Sequence, residues 1–379
     1  MINFMKTFLL WDSAGLNNEF IMRLLAALAD DGLTPFLLAR PASPLRERFK
    51  EKSWRGGVYR FWPDNLLWLL ALSPLWWLGA AMRLLFYQQT FKIKTVICLG
   101  TPAKFLATWP ASWLGWQVIW LETPNFDYSG LGRFGLKCYR LMAVKVKLVC
   151  FSLTTKLALL NLDLAEDRLT LIWPGIEPAE FQNQVSLFQN LASKNYQLNR
   201  KKYFTVGTVV DFKEPQRTET LMRAVKEALL IIPNLRLIVI GDGAARQQAE
   251  WLSKRLALSA AVWLVGSQTD LKKWYANFAV FVVASSTPGL DDWLMVLAAM
   301  INGVPVIAPR DLSLEDCFLG GQAGILLSLT NAEELSATMI KLEQDQDLRK
   351  NLSHNAKRVA RDFFALSRAK DEFKQVINL

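Results

Sequence analysis

The sequence predicts an α/β protein of two domains, each built on a parallel sheet. Short β-branched runs alternate with amphipathic helical stretches along most of the chain. Several of those runs end in Gly or Ser, the residues of ligand loops at the ends of parallel strands. A length of 379 residues at 52% hydrophobic content supports two cores rather than one.

The elements follow in order. Phe4–Leu10 is an apolar strand run, closed by the polar turn Asp12-Ser-Ala-Gly-Leu-Asn-Asn18. Phe20, Ile21, Leu24, Leu25 and Leu28 then recur at helical spacing, with Gly32 placed as a stop. Pro35–Ala39 is the next strand, so a small loop containing Gly15 faces a helix N-terminus. Such a loop can bind an anion through free backbone N–H groups, or can carry its glycine for turning alone. Further strands are expected at Thr95–Leu99, Gln117–Leu121, Leu148–Phe151 and Leu169–Ile172. The polar, Asn- and Gln-rich segment Gln182–Lys202 is the expected linker. After it the strand runs are Tyr203–Val210, Leu235–Gly243, Val262–Gly266, Phe278–Ser285 and Gly303–Ala308. Charged helices close the chain near Ala332–Glu343, Gln346–Phe363 and Ser367–Ile377. The expected domains are therefore 1–185 and 200–362, with 363–379 as a helix crossing back to the first.

Composition excludes several chemistries. Cys98, Cys138, Cys150 and Cys317 have neither metal-ligand nor disulfide spacing and read as buried thiols of a reducing compartment. The lone histidine, His354, lies in a charged helical stretch, which leaves histidine-centred zinc or triad chemistry no basis. The net charge of +10 is concentrated: Arg40–Lys156 holds seventeen Lys/Arg against five Asp/Glu, with nine of the fifteen tryptophans. Cationic charge interleaved with Leu and Trp suits an anionic membrane surface better than nucleic acid. Leu66–Met82 runs seventeen residues without a charge but is interrupted by Pro74. It reads as a membrane-docking element exposing Trp68, Trp76 or Trp77, or as an ordinary buried helix pair, and not as a spanning helix.

At this point the residues resemble family 4 glycosyltransferases over nearly the whole chain. The likeness rests on Gly15–Gly32, on Ser152-Leu-Thr-Thr-Lys156, and on Leu169-Thr-Leu-Ile-Trp-Pro-Gly-Ile-Glu-Pro-Ala-Glu-Phe181. It continues through Val262–Ser285, Met300–Ala308 and Ala323-Gly-Ile-Leu-Leu327. The resemblance implies two facing Rossmann-like domains in the GT-B arrangement, with a cleft between them. It also implies retaining, metal-independent, cofactor-free transfer from a nucleotide sugar.

Leaving diphosphate gathers negative charge, so cations or oriented N–H donors must meet it. The family's Gly-Arg-x-x-x-x-Lys segment reads here Gly207-Thr-Val-Val-Asp-Phe-Lys213, with Thr208 at the arginine and Lys213 on the diphosphate. The family's Glu-x7-Glu pair falls on Leu290 and Ala298, so both carboxylates are missing. Asp291 or Asp292 is then expected to reach the donor sugar; if both cap the helix or face solvent, no acid remains on that side. The family's first-domain histidine is absent too, and Glu122, after the Gln117–Leu121 strand, is the nearest polar candidate.

The expected donor site is Gly207, Thr208, Lys213, Gly241, Gly243, Gly266, Ser267, Gly289 and Leu290. The expected acceptor site is Ala14, Gly15, Asn17 and Glu122. The reading is a glycosyltransferase, cytoplasmic and peripheral on the inner membrane face, acting on a lipid-linked or glycan acceptor. The alternative is a catalytically degenerate protein of the same fold that serves as a binding or scaffold partner in glycan assembly.

Overall fold

The computed structural model describes residues 6–12, 19–59, 73–124, 128–177, 202–212, 215–268, 270–285, 289–310, 313–318, 321–328 and 330–377. The chain divides into two compact units, Met1–Pro174 with Leu366–Leu379, and Gly175–Ala365. The expected linker Gln182–Lys202 lies outside the described residues except for Lys202.

In the first unit, strands β1 (Lys6–Asp12), β2 (Leu33–Ala39), β3 (Gly56–Val58), β4 (Thr95–Leu99), β5 (Gln117–Glu122), β6 (Lys147–Cys150) and β7 (Leu169–Leu171) form one parallel sheet, ordered β3-β2-β1-β4-β5-β6-β7. The order turns outward in both directions from the β1/β4 pair, which makes their C-terminal ends a topological switch point. Asp12 stands there, in register with Ala39 on one side and Leu99 on the other.

The helices of this unit are α1 (Glu19–Asp30), α2 (Pro44–Glu51), α3 (Ser73–Phe91), α4 (Thr101–Trp113), α5 (Gly132–Ala143) and α6 (Leu153–Leu160). Helices α3, α4 and α5 pack on one face of the sheet, their Ala80, Leu84, Phe105, Leu106, Tyr139 and Met142 buried against Trp11, Val96, Cys98, Val118 and Trp120. Strands buried on both faces need near-continuous apolar sequence, which is why β4 is Thr-Val-Ile-Cys-Leu with every residue buried.

Of the apolar run Leu66–Met82 only the part from Ser73 is described, and it is helical. Pro74 sits in the first turn of α3, where its missing N–H costs nothing, and the helix continues past Arg83 to Phe91. Among the described residues no helix is long and apolar enough to cross a membrane. Trp68 lies outside them.

The second unit carries β8 (Phe204–Val209), β9 (Leu235–Ile240), β10 (Val262–Leu264), β11 (Val280–Val282), β12 (Val306–Pro309) and β13 (Gly324–Leu327), all parallel and ordered β10-β9-β8-β11-β12-β13. Its switch point lies between β8 and β11. Helices α7 (Pro215–Ala228), α8 (Arg246–Arg255), α9 (Lys272–Tyr275), α10 (Leu290–Ile301), α11 (Ala332–Gln344) and α12 (Gln346–Phe363) complete it. Helix α10 is buried along most of its length and is held by Trp293 edge-on to Phe364 at 5.8 Å. The last helix, α13 (Leu366–Ile377), belongs to the first unit, where it packs on α1.

Candidate functional site

The C-terminal strand ends of the second unit bring together four of the nine expected donor residues, Gly241, Gly243, Gly266 and Ser267. Here β8 runs into Val210 and Asp211, and β9 runs into Gly241-Asp-Gly243. These two loops approach so closely that a Cβ on Gly241 would stand 1.7 Å from the Val210 carbonyl oxygen. One on Gly243 would stand 2.1 Å from that of Asp211. With φ of +134° and +158°, neither position accepts a side chain. Only glycine permits this backbone-to-backbone contact. Beyond β10, the Gly241 N–H donates to the Gly266 carbonyl at 2.9 Å, joining a third loop, and Ser267 follows in it.

Arg246, at the start of α8, fixes the same three-loop group and had no place in the sequence reading. Its guanidinium donates to Asp242 at 3.3 Å, to Glu250 at 3.0 Å and to the Leu264 carbonyl at 3.3 Å. The Glu250 hydrogen bond leads in raising its pKa above the ordinary arginine value. Two acidic partners, each one helical turn away, were the available sequence signal.

Other expected donor residues do different work. Gly207 lies inside β8, not at its end, and the Phe278 ring occupies the space a Cβ would need, 2.2 Å away. It is a packing glycine. Thr208 is fully buried within the strand, and its hydroxyl has no hydrogen-bond partner. Lys213 lies outside the described residues.

Helix α10 begins at Leu290, whose side chain is in the core, and Ala298 is likewise buried further along it. The two positions without carboxylates therefore face packed protein. Asp292 is a capping residue: its Oδ2 accepts the Gly289 N–H at 2.8 Å, so both that amide and that carboxylate are already engaged. This corrects the expectation for Asp292 and removes the Gly289 amide from the donor set. Asp291, in the same first turn, is exposed.

In the first unit, Ala14, Gly15 and Asn17 lie outside the described residues. Glu122 is described, and it is closed to any acceptor. Its side chain is fully buried at the end of β5. Oε1 accepts Lys104 Nζ at 2.7 Å and Tyr139 OH at 2.8 Å, and Oε2 accepts Tyr128 OH at 3.2 Å. Burial first, and the adjacent carboxylate second, push the Tyr139 phenol well up, which keeps it a hydrogen-bond donor. A lone Lys in the apolar stretch Ala103–Thr108 and a lone Glu ending an apolar strand were the legible hint, because isolated buried charges must pair.

Asp12 was passed over as part of a turn. It is buried at the switch point of the first unit, where Ser43 Oγ, from the residue before α2, donates to its Oδ2 at 2.6 Å. The four cysteines are free. Burial raises the Cys98 thiol to about 12, so it stays protonated.

Trp76 and Trp77 do not stand out from the surface: both are half-buried against the core, and Trp77 Nε1 donates to the Phe105 carbonyl at 3.0 Å. The exposed apolar side chains around them are others, Leu75, Leu78, Met82 and Phe86 of α3 and Trp113 of α4.

Residues 189–359 match the family model described as glycosyl transferases group 1. This agrees with the resemblance read from the sequence. Among curated proteins, the lipopolysaccharide core biosynthesis glycosyltransferase LpsE of Rhizobium meliloti is 25% identical over 151 residues, 40% of this chain and 44% of that one. A second is the N-acetylgalactosamine-N,N'-diacetylbacillosaminyl-diphospho-undecaprenol 4-alpha-N-acetylgalactosaminyltransferase of Campylobacter jejuni. It is 25% identical over 144 residues, 38% of this chain and 39% of that protein. The chain spans less than half the length of the first curated relatives it matches. Among solved structures, Anabaena HepE in complex with UDP superposes with a TM-score of 0.82 at 16% identity, covering 99% of this chain and 100% of that one. The fold is the GT-B fold, two Rossmann-like units of α/β class.

Proposed function

We propose that this chain, whose residues 189–359 match the family model of group 1 glycosyl transferases, transfers a sugar from a nucleotide-sugar donor to a lipid-linked or glycan acceptor of the cell envelope. The observation that carries the reading is the three-loop group at Gly241, Gly243 and Gly266. Close-packed backbone at the C-terminal ends of three neighbouring parallel strands, beside the switch point, gives a bound nucleotide a surface of main chain and glycine. The names of the two curated relatives support the cell-envelope and lipid-linked parts of the reading. Retention of configuration, metal independence, the lack of a cofactor, and a cytoplasmic place on the inner membrane face follow from the resemblance and the charge distribution.

In this mechanism the nucleoside lies against the Gly241–Gly243 and Gly266–Ser267 loops. The diphosphate meets Lys213 and the positive end of the α10 dipole as negative charge builds on it. Asp291 is the acid left to act on the sugar, since Asp292 holds the helix end. Its exposure, with Asp292 capping, is the arrangement expected where no acid remains on that side of the sugar, and it counts toward the scaffold reading below.

The degenerate-scaffold reading has its own support in the buried Leu290 and Ala298 and in the capping role of Asp292. One experiment divides the two. The pure protein is incubated with uridine, guanosine, adenosine and cytidine diphosphate sugars, following melting temperature and release of nucleoside diphosphate. Stabilisation with release supports transfer, stabilisation without release supports the scaffold, and no response to any donor overturns both.

A further inference from the structure

The three helices α3, α4 and α5 cover one face of the first sheet, and their outer surface lacks the polar finish of a solvated layer. Along α3, Leu75, Leu78, Met82 and Phe86 follow one another at helical spacing, all more than half exposed. Beside them Trp113 is 64% exposed at the end of α4, and Phe134 is 64% exposed on α5. Leu141 and Val144 extend the same surface. Single exposed hydrophobics need no explanation, but a contiguous set spanning three helices does.

Within this surface lies an open groove of about 400 Å³, walled by Trp77, Trp109 and Trp113 on one side and by Phe134 and Leu141 on the other. The three indoles stand 6.2–6.3 Å apart, centroid to centroid, forming an aromatic wall. Such a wall suits a slender apolar ligand.

Charge decides between occupants. The three helices contain no Asp or Glu; of their charged residues Arg83, Lys104, Arg133, Lys137 and Arg140, Lys104 is buried against Glu122 and Arg140 lies 3.5 Å from Asp163. Arg133, Lys137 and Lys145 are exposed at the rim, with Lys145 Nζ 4.3 Å above the Trp109 ring. A second copy of this chain would set these cations against their own kind. An anionic lipid surface instead supplies negative headgroups at the height of the lysines and hydrocarbon at the height of the indoles.

We propose that the outer face of α3, α4 and α5 docks on an anionic bilayer, and that the three-tryptophan groove seats one acyl chain of a bilayer phospholipid. This rests on the transferase reading for its purpose, bringing the first unit to a membrane-held acceptor, but its test uses no donor. Trp76 thereby becomes a support of the docking face, and Trp77 meets the seated chain from the groove wall rather than standing out into the bilayer.

The test is co-sedimentation of the full chain with phosphatidylcholine vesicles and with vesicles of equal parts phosphatidylcholine and phosphatidylglycerol. The wild type should bind the anionic vesicles, and W113S/F134S/L141S should bind them about tenfold or more weakly at unchanged melting temperature. In parallel, Cys138, the one half-buried thiol of the four and a groove residue, is labelled with an environment-sensitive fluorophore. Its emission should shift to the blue with anionic vesicles and be quenched by lipids brominated on the acyl chain. Equal binding by the triple variant, or an unshifted label, would overturn the proposal. So would a wild-type dimer that the triple variant abolishes, because a second copy would then cover the face. Donor stabilisation in the absence of vesicles separates failure here from failure of the transferase reading.

Discussion

At the scale of single residues, burial and pairing assign roles that position in the sequence could not. Glu122 stands where a strand-end acid should meet a ligand, yet its oxygens are taken by Lys104, Tyr128 and Tyr139. Both ends of its ion pair are almost wholly out of water. Glu122→Gln would leave the Lys104 ammonium buried without its counter-charge, a change that costs about 3–5 kcal/mol. Urea unfolding should show that loss. A fold of wild-type stability, with only the acceptor KM raised, would return Glu122 to the acceptor site. Thr208 is the converse case, a buried hydroxyl without a partner in the strand interior. Thr208→Val removes a desolvated polar atom while keeping the side-chain shape, and is expected to raise stability by about 1 kcal/mol. A fall in nucleotide affinity, with no gain in melting temperature, would instead make that hydroxyl a donor contact. The departures from the family motif were legible as letters. What they face was not, because the partners of Glu122 and Asp292 are set by packing and by helix capping.

Whole elements were more legible than their edges. The central strands of both sheets are legible because a doubly covered parallel strand must be apolar throughout, and β4 falls on the expected Thr95–Leu99. Helix α2 and strand β3 went unread: Pro44–Glu51 is short and charged, and Gly56–Val58 is a three-residue edge strand with little periodicity to detect. Pro74 marks an interruption of the apolar run in the sequence, and it stands in the first turn of α3, where a helix following such an interruption starts. The closing helix α13 was read from its period, and its attachment is electrostatic as well as apolar. Lys370 Nζ approaches Asp31 at 2.8 Å, Lys374 pairs with the same carboxylate, and Gln117 Nε2 and Lys147 Nζ donate to the Val376 carbonyl. The hydrogen bond from Lys370 leads in holding the Asp31 carboxyl below its usual range, followed by that from Lys374. A carboxyl whose pKa is lowered by folding stabilises the fold at pH above its unfolded value, and that contribution is lost as pH falls through the folded value. Asp31→Asn should therefore lower stability slightly at neutral pH and flatten part of the acid-side decline. The effect is small because the group is partly solvated. An acid limb identical to wild type, followed by circular dichroism between neutrality and low pH, would show that the two lysines hold nothing.

Across the whole molecule, two Rossmann-like units, each with its own sheet, would divide the labour of the proposed transfer. The second unit carries the glycine-rich strand ends and the first carries the cationic, tryptophan-rich helices. That division sets up a pair of substitutions with opposite signatures in the second unit. Lys213, if it meets the diphosphate, contributes charge pairing that a nucleoside cannot use, so Lys213→Ala should weaken nucleoside diphosphate binding far more than nucleoside binding. Asp291, if it acts on the sugar as the bond to the diphosphate breaks, is used in the transition state and little in the ground state. Asp291→Asn should then leave the donor dissociation constant nearly unchanged and lower kcat, on the order of a hundredfold or more. Calorimetric titration with nucleoside and nucleoside diphosphate, beside initial rates with the productive donor, measures both. Equal losses for the two ligands in Lys213→Ala would take the lysine off the diphosphate. An Asp291→Asn variant at the wild-type rate would leave no acid in the first turn of α10 with a part in the chemistry, since the neighbouring carboxylate already holds the Gly289 amide.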